Sequence, residues 1–226
     1  MKYFFYLLIF FCVACNTNNK KNSKHVADQP FWSDIQAFKR QDSISFPPKN
    51  EILFIGSSSF TKWTDVQDYF PGYTIINRGF GGSTLLDQLR YEKDIIFPYH
   101  PKQIVIYCGE NDLASSDSVT AENVFERFLS LYNDLTIKLP GVSIAFISLK
   151  PSPSRRHLFL KMRKANKLIK DYLSTEKNSV FIDIHQPMLG TNGEPMPEIF
   201  LEDSLHMNAK GYAIWQKEIQ RYLLKD

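Results

Sequence analysis

Residues 51–60 read EILFIGSSSF, an apolar run that ends in a glycine and three serines. The apolar side chains follow one another without alternation, which is typical of a strand buried on both faces of a parallel sheet. The glycine permits a sharp turn, and serines are favoured at the first turn of a helix. This stretch therefore predicts a strand, a turn and a helix, the unit from which α/β folds are built.

The same unit recurs along the chain. Further continuous apolar runs predict strands at 73–77, 103–108, 143–148 and 179–183. Segments with apolar residues at helical spacing predict helices at 59–70, 84–97, 119–139, 157–176 and 208–224. This alternation predicts one doubly wound domain, a flavodoxin-like three-layer α/β/α sandwich around a five-stranded parallel sheet.

The N-terminal segment has a different composition. At residues 1–14, one lysine precedes twelve apolar residues, too few to span the roughly 30 Å hydrocarbon core of a bilayer, which predicts a signal peptide. The next residue, Cys15, resembles the lipidated first residue of a bacterial lipoprotein, although Cys12 stands where that motif usually has leucine. We expect an exported cell-envelope lipoprotein with a polar tether at 15–30 and a folded domain at 31–226; plain secretion is the alternative.

Charge and cysteine content exclude some classes of function. The formal net charge is +3, but residues 31–226 contain 23 basic and 23 acidic side chains, so the folded part lacks the basic excess of nucleic-acid-binding proteins. We expect no nucleic-acid partner, and contact with a membrane only through the lipid anchor. Cys108 is the only cysteine after the tether, which argues against a thiolate metal site.

Short polar blocks follow several predicted strands, at the sheet edge where α/β proteins bind their ligands. They read GSSS at 56–59, GFGGST at 79–84 and GEND at 109–112. The first block fits three interpretations: a helix cap, a cradle for an anion, or a nucleophilic serine raised on a turn. The second block allows close approach of the backbone, and the third offers a side-chain amide.

A fourth block, DSLH, lies at 203–206, before the last predicted helix. An aspartate and a histidine three residues apart meet when the intervening chain makes one turn. Asp203 would then accept from Nδ1–H of His206 and leave Nε2 free to act as a base. Together the four blocks contain a nucleophile, oxyanion donors, a base and an orienting carboxylate.

These blocks resemble the four conserved sequence blocks of the SGNH (GDSL-type) hydrolase family, and the likeness extends over about 50–220. In place of the family's Gly-Asp-Ser, this chain has Ser57 where the aspartate normally stands. The resemblance implies Ser58 as nucleophile, His206 as general base and Asp203 as its partner. It implies an oxyanion hole formed by Ser58, Gly82 and Asn111, and no metal or organic cofactor.

The resemblance also implies an esterase that works through an acyl-enzyme. We expect short acyl groups on carbohydrates as the substrate, with a lysophospholipase or thioesterase acting on lipids as the alternative. From another class, a catalytically silent lipoprotein that binds a glycan or a phosphate ligand stays open. Three further side chains are candidates for lining the substrate site: His185, Trp63 and His157. For His157, part of the charged run at 155–157, a solvated surface is the alternative.

Overall fold

A computed structural model describes residues 29–225 of the chain. The predicted signal peptide at 1–14, Cys15 and most of the predicted tether lie outside these residues. The strands are β1 (Ile52–Gly56), β2 (Ile75–Gly79), β3 (Gln103–Tyr107), β4 (Ser143–Ile147) and β5 (Ser179–Ile182). All pairings are parallel, in the order β2-β1-β3-β4-β5. The predicted five-stranded parallel sheet is therefore confirmed.

Helices cover both faces of the sheet. They are α1 (Trp32–Ile44), α2 (Ser58–Thr61), α3 (Val66–Tyr69), α4 (Leu85–Ile95), α5 (Glu110–Ala114), α6 (Ala121–Lys138), α7 (Phe159–Leu173) and α8 (Ala209–Ile219). One apolar core joins the sheet to α1, α4, α6 and α7, and a second joins it to α2, α3 and α8. Leu53 and Ile55 of β1 enter the first core, whereas Ile52 and Phe54 enter the second, as the alternation of side chains along a strand requires.

The predicted helix at 59–70 is wrong in one respect, because the structure has α2 and α3 with a turn between them. Trp63 lies in this turn and is fully buried, stacked on Tyr212 at 4.7 Å between ring centroids. Burial of the indole in the second core determines the path of the chain here, and a continuous helix does not form. Within residues 29–225, no helix is long and apolar enough to cross a membrane.

Two other boundaries differ from the sequence prediction. Strand β2 begins and ends two residues later than predicted, because its parallel register with β1 pairs Gly79 with Gly56 and keeps the chain extended to that point. Helix α1 was not predicted at all. It buries Ile35 completely, while Trp32 and Phe38 are only partly buried against the first core, so its apolar pattern is weak.

The strand order fixes where a ligand site can form. The chain leaves β1 towards β2 at one edge and then crosses back to β3 on the other side of β1. The connections that follow β1 and β3 therefore diverge, and they leave a crevice at the carboxyl ends of these strands. The blocks GSSS and GEND both lie at this crevice, immediately after β1 and β3.

Candidate active site

Ser58 is presented by a tight turn between β1 and α2. The turn depends on Gly56 for two reasons. Its φ of +145° is a conformation that residues with a side chain rarely adopt, and a Cβ atom at this position would lie 1.9 Å from the carbonyl oxygen of Tyr107 in β3. The N–H of Ser57 donates to that same oxygen at 3.2 Å. Ser58 is then the first residue of α2 and is half-buried.

The structure brings Ser58, His206 and Asp203 into one hydrogen-bonded row. Ser58 Oγ lies 2.9 Å from His206 Nε2, although the two residues are 148 positions apart in the chain. On the other side of the ring, His206 Nδ1 lies 2.6 Å from Asp203 Oδ2. With its proton on Nδ1, His206 donates to the carboxylate and presents a free lone pair to the serine hydroxyl.

The turn that carries Asp203 and His206 is held by the aspartate itself. Asp203 Oδ1 accepts from the backbone N–H groups of Leu205 and His206, at 3.0 and 2.9 Å. Burial opposes ionisation of this carboxyl group, but the hydrogen bonds from the ring and backbone of His206 and from Leu205 N–H outweigh it and hold the pKa of Asp203 well below its usual range. Asp203 is therefore a carboxylate throughout the neutral pH range.

The three predicted oxyanion donors are free to bind a ligand. Among residues 29–225, no protein acceptor takes the backbone N–H of Ser58 or of Gly82. Gly82 is exposed and has a φ of +85°, and the neighbouring Gly81 lies beside Ser58. Asn111 is half-buried and uses one amide hydrogen to bind Ser83 O at 3.1 Å, which leaves the second hydrogen for a ligand.

Ser83 and Asp112 form hydrogen bonds that connect the polar blocks to other parts of the chain. The sequence did not reveal this role. The buried Ser83 hydroxyl lies 3.1 Å from Gly56 O and 2.8 Å from Phe80 O. Asp112 accepts from Leu85 N–H at the start of α4 and from Arg127 at 2.8 Å. The second block contains Ser83 and the third contains Asp112, but only the folded chain shows which partner each one binds.

Of the three predicted substrate-lining side chains, Trp63 is placed elsewhere. Its ring is fully buried in the second core, so the prediction that it lines the site is wrong. His157 is exposed on a 3₁₀ turn at Pro153–Leu158, in agreement with the solvated alternative. Neither side chain hydrogen-bonds to the row of Ser58, His206 and Asp203 in the described part of the chain.

His185 belongs to a separate feature. It lines a surface cavity of about 260 Å³ between β5 and α7, which contains none of Ser58, Asp203 and His206. Its Nδ1 lies 3.2 Å from Leu149 O, and burial lowers the pKa of the ring below its usual value. The histidine whose ring contacts Ser58 is therefore His206, the partner of Asp203.

The described residues offer no cluster suited to a metal ion. Between residues 29 and 225, no group of three or more His, Cys, Asp or Glu side chains is arranged to hold one. What the geometry provides is a serine hydroxyl beside an imidazole, a carboxylate that orients the imidazole, and backbone N–H groups of Ser58 and Gly82 that bind no protein acceptor among residues 29–225. This set can transfer an acyl group through a serine ester.

Comparison with known proteins agrees with this geometry. The sequence profile of the GDSL-like lipase/acylhydrolase family matches residues 42–214. No curated protein sequence matches the chain.

Several solved structures share the fold. One is a Streptococcus pneumoniae protein provisionally named platelet activating factor, 18% identical, with a TM-score of 0.75 over 92% of this chain and 98% of that one. A GDSL-like lipase from Bacteroides thetaiotaomicron is 21% identical, with a TM-score of 0.68 over 83% and 95%. A catalytic mutant of an acetylxylan esterase from Geobacillus stearothermophilus is 18% identical, with a TM-score of 0.62 over 80% and 97%.

Proposed function

Because the chain belongs to the GDSL-like lipase/acylhydrolase family over residues 42–214, we propose that it is a serine esterase that removes short acyl groups, above all acetyl, from carbohydrates. The observation that carries the proposal is the 2.9 Å contact between Ser58 Oγ and His206 Nε2. With Asp203 2.6 Å from the other ring nitrogen, the row contains a nucleophile, a general base and the carboxylate that orients the base.

The first half of the reaction forms an acyl-enzyme. His206 Nε2 takes the proton of Ser58 Oγ as this oxygen attacks the ester carbonyl, and the carbonyl oxygen becomes an oxyanion. The N–H groups of Ser58 and Gly82 and the second amide hydrogen of Asn111, which bind no protein acceptor among residues 29–225, are the donors that would stabilise that charge. The bond to the alcohol then breaks, and His206 returns its proton to the leaving oxygen.

The second half releases the acid. A water molecule gives a proton to His206 Nε2 and attacks the acyl carbon, which forms a second oxyanion in the same set of donors. When this intermediate collapses, the bond to Ser58 Oγ breaks and the serine recovers its proton from His206. Asp203 stays ionised through both halves and stabilises the imidazolium that forms in each.

Three observations support a short acyl group as the one that is removed. A Cβ atom on Gly82 would lie 3.6 Å from the ring of Phe31, so an aromatic ring borders this otherwise exposed donor on one side. Residues 186–200, whose apolar side chains could have formed a longer acyl wall, instead bury Met188, Ile199 and Phe200 in the second core. The acetylxylan esterase among the structural relatives acts on acetylated carbohydrate, which supports the same choice.

The alternative activity is a lipid acylhydrolase of the lysophospholipase or thioesterase type. A non-enzymatic lipoprotein that binds a glycan or phosphate remains the alternative from another class. The binding-protein alternative is the weaker one, because it gives no role to the contacts of His206 with both Ser58 and Asp203.

We also propose that the protein is exported and attached to the bacterial cell envelope through lipid on Cys15. This proposal rests on the apolar residues 1–14, the alanine before Cys15 and the polar residues that follow. Metabolic labelling with palmitate tests it: the native chain is expected to take up label, and a Cys15→Ser variant is not. Equal labelling of the two would contradict the proposal.

Ester hydrolysis by the chain from Asn16 onward tests the proposed activity. We expect p-nitrophenyl acetate to be cleaved faster than the butyrate, octanoate and palmitate esters, and Ser58→Ala to remove the activity on all of them. Acetylated xylooligosaccharides should release acetate in the same serine-dependent way. A preference for octanoate or palmitate would favour the lipid alternative, and folded protein without activity on any ester would favour the binding protein.

A further inference from the structure

A buried carboxylate lies directly beside the proposed oxyanion donor Asn111. Glu110 is 4% exposed, and its Oε2 accepts from Tyr107 OH at 2.6 Å and from Lys150 Nζ at 2.7 Å. Its Oε1 accepts from Ser152 Oγ at 3.2 Å, and the guanidinium of Arg155 approaches to 3.9 Å. Each carboxylate oxygen therefore has a donor, and none of these groups takes part in the acyl-transfer steps.

Such an ion pair needs an explanation other than stability. Lys150 is 2% exposed, so both charges have lost their hydration, a cost that their mutual attraction often fails to exceed. Burial opposes ionisation of Glu110, but the charge of Lys150 and the hydrogen bonds from Lys150 and Tyr107 lower the pKa of the carboxyl group overall. Glu110 is therefore a fixed anion, and its value lies in the geometry that it imposes on its neighbours.

The neighbours of Glu110 lead to the turn that carries the base. Ser152 and Lys150 belong to the loop after β4. By accepting from both side chains, the Glu110 carboxylate holds this loop near the end of β3. Two residues after Ser152, the N–H of Ser154 donates to the carbonyl oxygen of Ser204 at 3.1 Å. Ser204 lies between Asp203 and His206, and its φ of 53° is a left-handed conformation that needs support from its surroundings.

We propose that Glu110 is a positioning residue that acts through the loop after β4 on the Asp203–His206 turn. The carboxylate holds Ser152, the loop holds Ser204, and the turn therefore keeps His206 Nε2 within hydrogen-bonding distance of Ser58 Oγ. The inference rests on the proposed esterase function and adds to it a determinant of the rate that does not contact the substrate. Misplacement of a catalytic group by about 1 Å can cost about 100-fold in rate, so loss of this support should be visible in kcat.

The first test compares two variants of different severity. Glu110→Gln keeps the shape of the side chain but removes its charge, and Ser152→Ala removes only the contact to the loop and leaves the Glu110–Lys150 pair intact. With p-nitrophenyl acetate, we expect kcat to fall about 10-fold for Glu110→Gln and about 5-fold for Ser152→Ala, with KM unchanged. If Glu110→Gln does not fold, Ser152→Ala decides, and a wild-type kcat for Ser152→Ala overturns the proposal.

A matched control separates positioning from a loss of stability. Glu92 of α4 is also a buried glutamate with a lysine partner, Lys138, but it lies away from the carboxyl end of the sheet. Glu92→Gln is expected to lower the melting temperature while kcat stays within twofold of the wild type. An equal loss of kcat in Glu92→Gln and Glu110→Gln would mean that the effect is general destabilisation, which overturns the proposal.

Double-variant cycles identify the path of the effect. In an Asp203→Asn background His206 is no longer oriented, so adding Glu110→Gln should lower kcat by less than twofold further. In an Asn111→Ala background, adding Glu110→Gln should still cost about 10-fold, because the oxyanion donor acts separately. The reverse pattern would mean that Glu110 acts through Asn111, which contradicts the proposal.

Failure of this inference is distinguishable from failure of the proposed function. If the wild type cleaves esters and Ser58→Ala does not, the esterase proposal holds whatever Glu110→Gln does. A wild-type kcat in both Glu110→Gln and Ser152→Ala would then overturn only the positioning role. If the wild type cleaves no ester, both proposals are overturned together.

Discussion

At the scale of single residues, the proposed reactivity depends on which serine contacts His206. Ser57, Ser58 and Ser59 follow one another at the same turn, but only Ser58 places its hydroxyl near the imidazole. Ser57 and Ser59 are both buried, at 4% and 1% exposure, so neither can meet a substrate. The turn therefore selects one nucleophile from three chemically equal side chains.

We expect Ser58→Ala to lower kcat by at least about 1000-fold, since it removes the nucleophile itself. Ser57→Ala and Ser59→Ala should retain most of the activity, because their hydroxyls do not touch His206. Steady-state hydrolysis of p-nitrophenyl acetate by the three variants is the measurement. Comparable losses in all three would contradict the assignment of Ser58.

Asn111→Ala is expected to lower kcat about 100-fold, with little change in KM, because its free amide hydrogen would act on charge that exists only in the transition state. The variant also loses the contact to Ser83 O, so its melting temperature should be measured beside its kinetics. An unchanged kcat in a folded variant would remove Asn111 from the proposed oxyanion hole.

At the scale of elements, the close approach of β1 to β3 beside the site leaves no room for a side chain at Gly56. Gly56 ends β1 where the backbone of β3 is so close that no side chain fits between the two strands. The same contact sets the direction in which α2 leaves the sheet, and with it the position of Ser58. The close approach of β1 to β3 therefore matters both for the packing of the sheet and for the position of Ser58.

Gly56→Ala should destabilise the protein by about 2–4 kcal/mol, since a Cβ atom must push β1 away from β3. Gly141→Ala is the matched control, because Gly141 also has a positive φ, +85°, but has nothing within 4 Å of the added atom. It should cost about 1 kcal/mol from backbone strain alone. Urea unfolding compares the two, and equal losses would contradict the argument from close approach.

At the scale of the whole molecule, α1 closes the first core and reaches the site. Asp42 near its end binds the guanidinium of Arg78 at 2.5 Å, and the side chains are 11% and 9% exposed. At the other end, Phe31 packs edge-on against Phe80 at 5.3 Å between centroids, and its ring faces Gly82. Phe31, the residue before α1, thus packs beside the loop that carries Gly82, a proposed oxyanion donor.

Asp42→Ala leaves Arg78 buried without its carboxylate and is expected to lower the free energy of unfolding by about 3 kcal/mol. Asp94→Ala removes the more exposed ion pair between α1 and α4, in which Lys39 is 49% exposed, and should cost less than about 1 kcal/mol. Denaturant unfolding of both variants gives the comparison. A loss for Asp94→Ala as large as that for Asp42→Ala would contradict the importance of burial.

By itself, the sequence determined the strands and the four polar blocks, because runs such as 103–108 are too apolar to lie anywhere but in the sheet interior. It also placed the blocks at one edge, since the carboxyl ends of parallel strands meet there. It missed α1 and misplaced Trp63, because a weak apolar pattern and a single aromatic residue acquire their environment only from packing against distant segments.

Only the tertiary structure decided which polar residues meet. The sequence contained two histidines near aspartates, and the fold brings His206 to Ser58 while His185 faces another cavity. Likewise, the sequence indicated only that Glu110 belongs to a turn, whereas the structure shows that it is buried beside Lys150. Local patterns depend on neighbours within a few positions, whereas these contacts join residues 40 to 148 positions apart, and such pairings exist only once the sheet order is set.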